Sequence, residues 1–127
     1  MAKTVYTVLF VDDEESILKI TKILLSSLDV KVILSNSGKQ AINILSDKEY
    51  QNKIDLVLLD LTMPKMNGLE VLKWVNNKKI AIPVILQTGI EDAIELSKAF
   101  KLGIKDYLVK PYTKEKLYEF IVKYAKA

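Results

Sequence analysis

The sequence predicts an α/β fold of the doubly wound class, in which one parallel sheet of five strands is covered on both faces by helices. Two observations favour this fold. Short, continuous runs rich in Val, Ile and Leu alternate along the chain with amphipathic segments, and such runs are typical of parallel strands buried on both faces. The length of 127 residues also fits a single domain, residues 1–127, that can bury its core without disulfides or a structural metal.

The strands are predicted from the apolar runs. These runs cover residues 5–11, 30–34, 54–59, 83–86 and 107–109. Lys31 interrupts the second run, which favours a position at the edge of the sheet. Right-handed crossovers are expected between successive strands.

Five helices are predicted from apolar residues that recur three or four positions apart. These residues are Ile17, Ile20, Leu24 and Leu28; Ala41 and Leu45; Leu69, Leu72 and Val75; Ala93, Leu96 and Phe100; and Leu117, Phe120, Ile121 and Tyr124. Gly103 is placed to end the fourth helix and Thr113 to cap the start of the fifth. The alternation therefore reads as five strand–helix units.

The composition excludes several classes of protein. The chain has no Cys and no His, which rules out a disulfide scaffold, a thiolate metal site and a Ser-His-Asp triad. All 19 basic residues are lysines spread over the chain, for a formal charge of +3, and this indicates a solvated surface rather than direct contact with nucleic acid. No apolar stretch approaches the roughly 20 residues that span a bilayer. We therefore expect a soluble, cytoplasmic protein without a membrane anchor.

Polar side chains follow four of the predicted strands. Asp12 and Asp13 come after the first strand, Asp60 ends the third, Thr88 follows the fourth and Lys110 the fifth. The carboxyl ends of parallel strands share one edge of a sheet, where ligands of such folds bind. Neighbouring strands are ~4.8 Å apart, and two carboxylates 4 Å apart repel by ~4 kcal/mol at an effective dielectric of 20. A divalent cation would relieve this repulsion, and oxygen ligands favour Mg²⁺, or Mn²⁺.

Such a site suits phosphoryl transfer. An Asp carboxylate can attack phosphorus and form an acyl phosphate, and this reaction needs positioning and charge neutralisation more than an acid–base relay. Lys110 and Thr88 could contact the phosphoryl oxygens. The sequence has no nucleotide-binding glycine motif, so the donor is expected to be another protein or a small molecule.

Four segments carry a resemblance to a known family. They are VDDE at 11–14, LLDLTMPKMNGLE at 58–70, TG at 88–89 and GIKDYLVKPY at 103–112. With them the sequence resembles, over essentially its whole length, the receiver domains of response regulators in two-component signalling, in particular single-domain regulators of the chemotaxis type. The resemblance implies a flavodoxin-like sheet with strand order 2-1-3-4-5.

The resemblance also implies roles at the strand ends. Asp60 would be the phosphoacceptor, receiving its phosphoryl group from a phosphohistidine of a histidine kinase or a histidine phosphotransfer protein. Asp13 would bind Mg²⁺ directly and Asp12 mainly through water, with Asp60 and the backbone carbonyl of Thr62 as further ligands. Lys110 would pair with the phosphoryl oxygens, and a cis peptide bond is expected between it and the following proline.

Thr88 and Tyr107 would form the switch pair of such a domain. The hydroxyl moves toward the phosphoryl group, the ring turns inward, and the face of the fourth predicted helix, fifth strand and fifth helix changes for a downstream target protein. The resemblance implies a monomer or weak dimer that acts as a switch rather than an enzyme, although it promotes its own phosphorylation and dephosphorylation. Ile90 is expected to shield the acyl phosphate from water and slow its loss, and Tyr112 to pack under the Lys-Pro turn.

Three other interpretations stay open at this point. A small phosphatase of the haloacid dehalogenase type also uses an Asp nucleophile, but it needs an acid two residues later, where this chain has Thr62. A pure interaction module would keep the fold without the chemistry. A receiver domain cut from a longer regulator would act through a separate output domain.

Overall fold

The computed structural model describes residues 5–89 and 93–126. Its strands are β1 (Tyr6–Val11), β2 (Val30–Ser35), β3 (Leu56–Asp60), β4 (Val84–Thr88) and β5 (Asp106–Val109). Its helices are α1 (Glu15–Ser26), α2 (Gly38–Leu45), α3 (Lys48–Lys53), α4 (Gly68–Asn77), α5 (Ala93–Lys101) and α6 (Lys114–Tyr124). The predicted fourth and fifth helices correspond to α5 and α6.

The five strands form one parallel sheet in the order β2-β1-β3-β4-β5. The doubly wound fold and the strand order 2-1-3-4-5 are thereby confirmed. β2 is an edge strand with Lys31 exposed, while every residue of the central β3 is buried. The register pairs Val11 with Leu59 and Thr88 with Val109, so these strands end at a common edge. We call this edge, with Asp12, Asp13, Asp60, Thr88 and Lys110, the rim.

Two hydrophobic layers lie on opposite faces of the sheet. One joins alternate strand residues, such as Leu59 and Leu86, to α2, α4 and α5. The other joins Leu58 and Ile85 to α1 and α6. The alternation follows from the two-residue period of a strand, and each fully buried Leu or Ile contributes ~1.5–3 kcal/mol. The rim is thus built on rigid, close-packed strands.

The structure differs from the prediction at α1 and α3. The core-facing residues of α1 are Leu18, Thr21 and Leu25, whereas Ile20 is 52% exposed and Leu24 39% exposed. The buried stripe is therefore one residue out of phase with the predicted one. The short α3 was not predicted, because it has no buried residue and hence no apolar period; Asp47 begins it by accepting a hydrogen bond from the Glu49 N–H.

None of the helices in the described part of the chain is both long and apolar enough to cross a membrane.

Candidate functional site

The rim brings together the three predicted carboxylates. Asp12 and Asp13 directly follow β1, and Asp60 is the last residue of β3. Because β1 and β3 pair in register up to Val11 and Leu59, the next residue of each chain segment lies at the same height. One carboxylate oxygen from each of the three acids lies within 4.8 Å of the other two. This is a donor set made only of oxygen, as a hard divalent cation requires.

Lys110 connects two of these acids. Its Nζ donates a hydrogen bond to Asp12 Oδ2 at 3.1 Å and lies 3.4 Å from Asp60 Oδ1. Backbone groups also bond these two carboxylates: the Glu14 N–H donates to Asp12 Oδ1 at 3.0 Å, and the Thr62 N–H to Asp60 Oδ1 at 3.3 Å. These contacts fix the orientation of the Asp12 and Asp60 carboxylates.

The electrostatics leave this group with excess negative charge. Asp60 is only 5% exposed. Burial raises its pKa, Lys110 opposes that rise and the charge of Asp12 adds to it, so that the pKa reaches about 6. Burial lowers the pKa of Lys110, but the attraction of Asp60 and Asp12 outweighs it and leaves that pKa above its ordinary value. Three carboxylates facing one ammonium leave two negative charges without a partner, which fits a divalent cation.

The carboxylates open onto a cleft of about 700 Å³. Asp13, Asp60, Thr62, Thr88 and Lys110 all line it, whereas Asp12 lies beneath and is fully buried. Further lining residues are Asn67, the N-cap of α4, which the sequence showed only as part of the segment 58–70, and Glu95, in the first turn of α5, which sequence reasoning did not single out. The only sequence signal of Glu95 is that of a helix start.

Thr88 and Tyr107 lie on the same side of the sheet. Thr88 ends β4 and is 3% exposed, and its carbonyl accepts a hydrogen bond from the Lys110 N–H at 2.8 Å. Tyr107 is half-buried on β5, paired with Leu86, two residues before Thr88 on the neighbouring strand. Its ring meets Phe100 of α5 edge-on, with centroids 6.3 Å apart. The switch roles of the pair stay predictions.

The loop after β5 contains the expected cis peptide bond between Lys110 and Pro111. The next residue, Tyr112, is half-buried and packs against the core layer under α1 and α6. Its hydroxyl also donates a hydrogen bond to Oε1 of Gln87 at 2.6 Å, a contact that sequence reasoning missed. Burial, with the charges of Asp12 and Asp60, raises the pKa of Tyr112, so this hydroxyl keeps its proton. Ile90 lies outside the described residues.

Comparison with known proteins points to one family. A family model described as the response regulator receiver domain matches residues 8–122. The response regulator SaeR of Staphylococcus aureus is 36% identical over 109 residues, which cover 86% of this chain and 46% of SaeR. The chain thus spans less than half the length of the curated relatives it matches first.

Solved structures agree with the fold. A response regulator receiver domain protein from Clostridium thermocellum is 30% identical, with a TM-score of 0.83 and coverage of 94% of this chain and 92% of that one. The chemotaxis protein CheY4 of Vibrio cholerae, 24% identical, superposes with a TM-score of 0.84 over 94% of this chain and 98% of its own. The match over most of the sequence, on the same five-stranded fold, shows that this chain belongs to the receiver domain family of the response regulators of two-component signalling.

Proposed function

We propose that this receiver domain is a phosphorylation-dependent switch that takes a phosphoryl group onto Asp60 from a phosphohistidine of a histidine kinase or a histidine phosphotransfer protein. The observation that carries the proposal is the cluster at the rim. Three carboxylates lie within 4.8 Å of one another, and Lys110 pairs with two of them, beside an open cleft. Like charges this close disfavour ionisation of one another, and a perturbed acid in a cleft is a candidate for a functional site.

In the proposed reaction a carboxylate oxygen of Asp60 forms a bond to phosphorus. The bond from phosphorus to the imidazole nitrogen of the donor breaks, and its electron pair stays on that nitrogen. With a pKa of about 6, Asp60 is mostly ionised at neutral pH and available as the nucleophile. The Lys110 ammonium, already within 3.4 Å of Asp60, is placed to pair with the transferred oxygens.

Asp12, Asp13, Asp60 and the backbone carbonyl of Thr62 are the groups that would hold Mg²⁺, or Mn²⁺ in its place. When bound, the cation supplies positive charge that offsets both the carboxylates and the phosphoryl oxygens. Lys110 contributes the same kind of stabilisation from the chain itself. The domain therefore acts as a phosphoacceptor that assists its own phosphorylation and dephosphorylation rather than as an enzyme with a separate substrate.

The donor protein must reach Asp60 through the cleft, and an apolar surface adjoins that approach. Ile17, Ile20 and Leu24 of α1 form, with Pro111, a groove of about 380 Å³ that also touches Lys110. Ile20 and Leu24 are 52% and 39% exposed. We assign this groove to contact with the phosphoryl donor, because a protein seated there has its imidazole close to the rim.

The output is proposed to run through Thr88 and Tyr107. A phosphoryl group on Asp60 would hydrogen-bond the Thr88 hydroxyl in only one of two arrangements of the loop after β4, which shifts the population toward that arrangement. The space vacated favours an inward position of the Tyr107 ring. The α5-β5-α6 face, on which Phe100 meets Tyr107 and is 46% exposed, then presents a changed surface to a target protein.

A single incubation tests the proposal. The protein is mixed with acetyl phosphate and Mg²⁺, and its intact mass and the released inorganic phosphate are followed. We expect a gain of one phosphoryl group that is absent from Asp60→Asn and from samples with chelator. Many turnovers of released phosphate would instead indicate a phosphatase, and neither an adduct nor released phosphate would indicate a pure interaction module.

One further alternative concerns the rest of the protein. Because the chain spans less than half of relatives such as SaeR, a receiver domain that works with a separate output domain is the second candidate. The full-length reading frame distinguishes it from a stand-alone regulator.

A further inference from the structure

Gln87 is a polar side chain buried beside the phosphorylation site, and the proposed mechanism does not use it. It is 0% exposed and pairs in register with Asp60 on the adjacent strand. The other residues of β4 before Thr88 are apolar: Val84, Ile85 and Leu86. An amide in such a position costs free energy unless its oxygen and nitrogen find partners.

The two hydrogen-bond partners of the Gln87 amide lie in chain segments next to rim residues. Its Oε1 accepts the hydrogen bond from the Tyr112 hydroxyl at 2.6 Å, which is short for a neutral pair. Its Nε2 donates to the carbonyl of Val11, the last residue of β1, at 3.4 Å. The side chain therefore links the end of β1 to the loop after β5, across the intervening β3.

The two linked segments are those that carry Asp12 and Lys110. Val11 directly precedes Asp12, and Tyr112 comes two residues after Lys110. The Lys110 N–H is itself bonded to the Thr88 carbonyl at 2.8 Å. The loop is thus bonded to two successive residues of β4. The Lys110 N–H donates to the backbone of Thr88, and two residues later the Tyr112 hydroxyl donates to the side chain of Gln87.

We propose that Gln87 and Tyr112 form a positioning pair that holds Lys110 against the carboxylates of Asp12 and Asp60. The inference rests on the proposed phosphorylation of Asp60. The Tyr112 ring fills space in the core whether or not it carries a hydroxyl, so packing accounts for the ring but not for its bond to Gln87. The hydrogen bond of the hydroxyl fixes where the loop lies along β4. The position of the loop in turn sets the 3.1 Å and 3.4 Å contacts of Lys110 Nζ with Asp12 and Asp60.

The test compares Tyr112→Phe with the double variant Tyr112→Phe/Gln87→Leu. Tyr112→Phe leaves the buried Gln87 oxygen without its donor and is expected to lower the melting temperature by several degrees. The double variant removes both polar groups and should recover most of that stability. Both variants should nevertheless take up a phosphoryl group from acetyl phosphate about tenfold more slowly at saturating Mg²⁺, because small displacements of a charge-stabilising group are costly.

A second readout needs no phosphoryl donor. Hydrogen exchange of the Lys110 amide, measured relative to the core amide of Leu58, should be about tenfold faster in both variants. The matched control is Tyr124→Phe, which removes another tyrosine hydroxyl, one that donates to Asp106 Oδ2 at 2.5 Å at the start of β5. This control should leave both measurements unchanged.

Slower phosphorylation with faster Lys110 exchange in the stable double variant supports the positioning role. A double variant that equals the wild type in both measurements overturns it. If the wild type takes up no phosphoryl group at all, the proposed function is wrong, and the exchange of the Lys110 amide alone decides whether the pair holds the loop.

Discussion

Two buried aspartates stand at opposite ends of β3. Asp55 directly precedes the strand and is 2% exposed, while Asp60 ends it and is 5% exposed. Asp55 Oδ2 accepts a hydrogen bond from the Thr7 N–H at 2.8 Å, and the Asp55 N–H donates to the Thr7 carbonyl at 2.7 Å. This reciprocal pair joins the beginnings of β1 and β3. The hydrogen bonds of Asp55 therefore give it a structural role, which is to hold these two strands together.

Asp60 has the same side chain and nearly the same burial, but its neighbours differ. It shares its end of the sheet with the carboxylates of Asp12 and Asp13 and faces a cleft. Burial and the nearby Asp12 raise its pKa to about 6 in spite of Lys110. Burial alone therefore does not distinguish the two acids. What sets Asp60, the proposed phosphoacceptor, apart from Asp55 is its crowding with like charges next to an open cleft.

The largest effect on stability is expected where the carboxyl end of β3 is most crowded, at Gly68. A Cβ at this position would lie 2.5 Å from the carbonyl oxygen of Asp60 and 2.9 Å from the Cα of Leu61. Both are backbone atoms that cannot move without displacing the Asp60 carboxylate. We expect Gly68→Ala to lower the free energy of unfolding by about 3 kcal/mol and to slow phosphorylation, as measured by urea unfolding and acetyl phosphate uptake.

Gly89→Ala is the matched control for that prediction. Gly89 lines the same cleft, but a Cβ there meets no atom of the described residues within 4 Å. The free energy of unfolding of Gly89→Ala should stay within ~0.5 kcal/mol of the wild type. Equal losses in the two variants would show that the crowding around Asp60 is not what makes this end of the strand sensitive.

The rim could be predicted from the sequence because the ends of its strands are marked by a change from apolar to polar residues. An apolar run followed by Asp12, or closed by Asp60, marks a strand end, and parallel strands bring such ends together whatever the details of packing. The phase of α1 could not be predicted in the same way. That helix carries apolar residues on two overlapping stripes, and contact with the sheet selects the one that includes Thr21 over the one that includes Ile20.

The bond between Gln87 and Tyr112 was beyond sequence reasoning for a different reason. The two residues are 25 positions apart, and neither belongs to a periodic pattern that would suggest a partner. The one signal was a Gln that directly follows three apolar strand residues, Val84 to Leu86. That signal predicts a buried polar contact but does not identify the other residue.

The second prediction concerns pH, and it applies to Asp60. Its pKa is higher in the folded protein, about 6, than the ordinary 3.8, so the folded state binds this proton more tightly than the unfolded chain. Ionised Asp60 therefore destabilises the fold above pH 6, and the penalty fades as the pH falls from 6 toward 4. Without metal at pH 7, Asp60→Asn should be more stable than the wild type by roughly 2–3 kcal/mol, and the difference should shrink toward pH 4.

Urea unfolding of both proteins at several pH values measures this difference. Mg²⁺ added at pH 7 should stabilise the wild type more than Asp60→Asn, since the cation compensates the charge that the variant lacks. A stability difference that is constant between pH 7 and 4, or that grows as the pH falls, would mean that Asp60 is not under electrostatic strain. The contrast between the two ends of β3 would then lose its physical basis.

The smallest effect is expected at the other end of the strand, in Asp55→Asn. An Asn oxygen can still accept the Thr7 N–H, but the bond loses the strength that a charged acceptor gives it. We expect a loss of about 1 kcal/mol in the free energy of unfolding and no more than a twofold change in phosphorylation, because Asp55 lies five residue steps along the strand, at ~3.3 Å each, from Asp60 at the rim. If Asp55→Asn instead slowed phosphorylation as strongly as a change at the rim, the two ends of β3 would have to communicate through the strand. The assignment of a structural role to Asp55 and of the phosphoacceptor role to Asp60 alone would then be wrong.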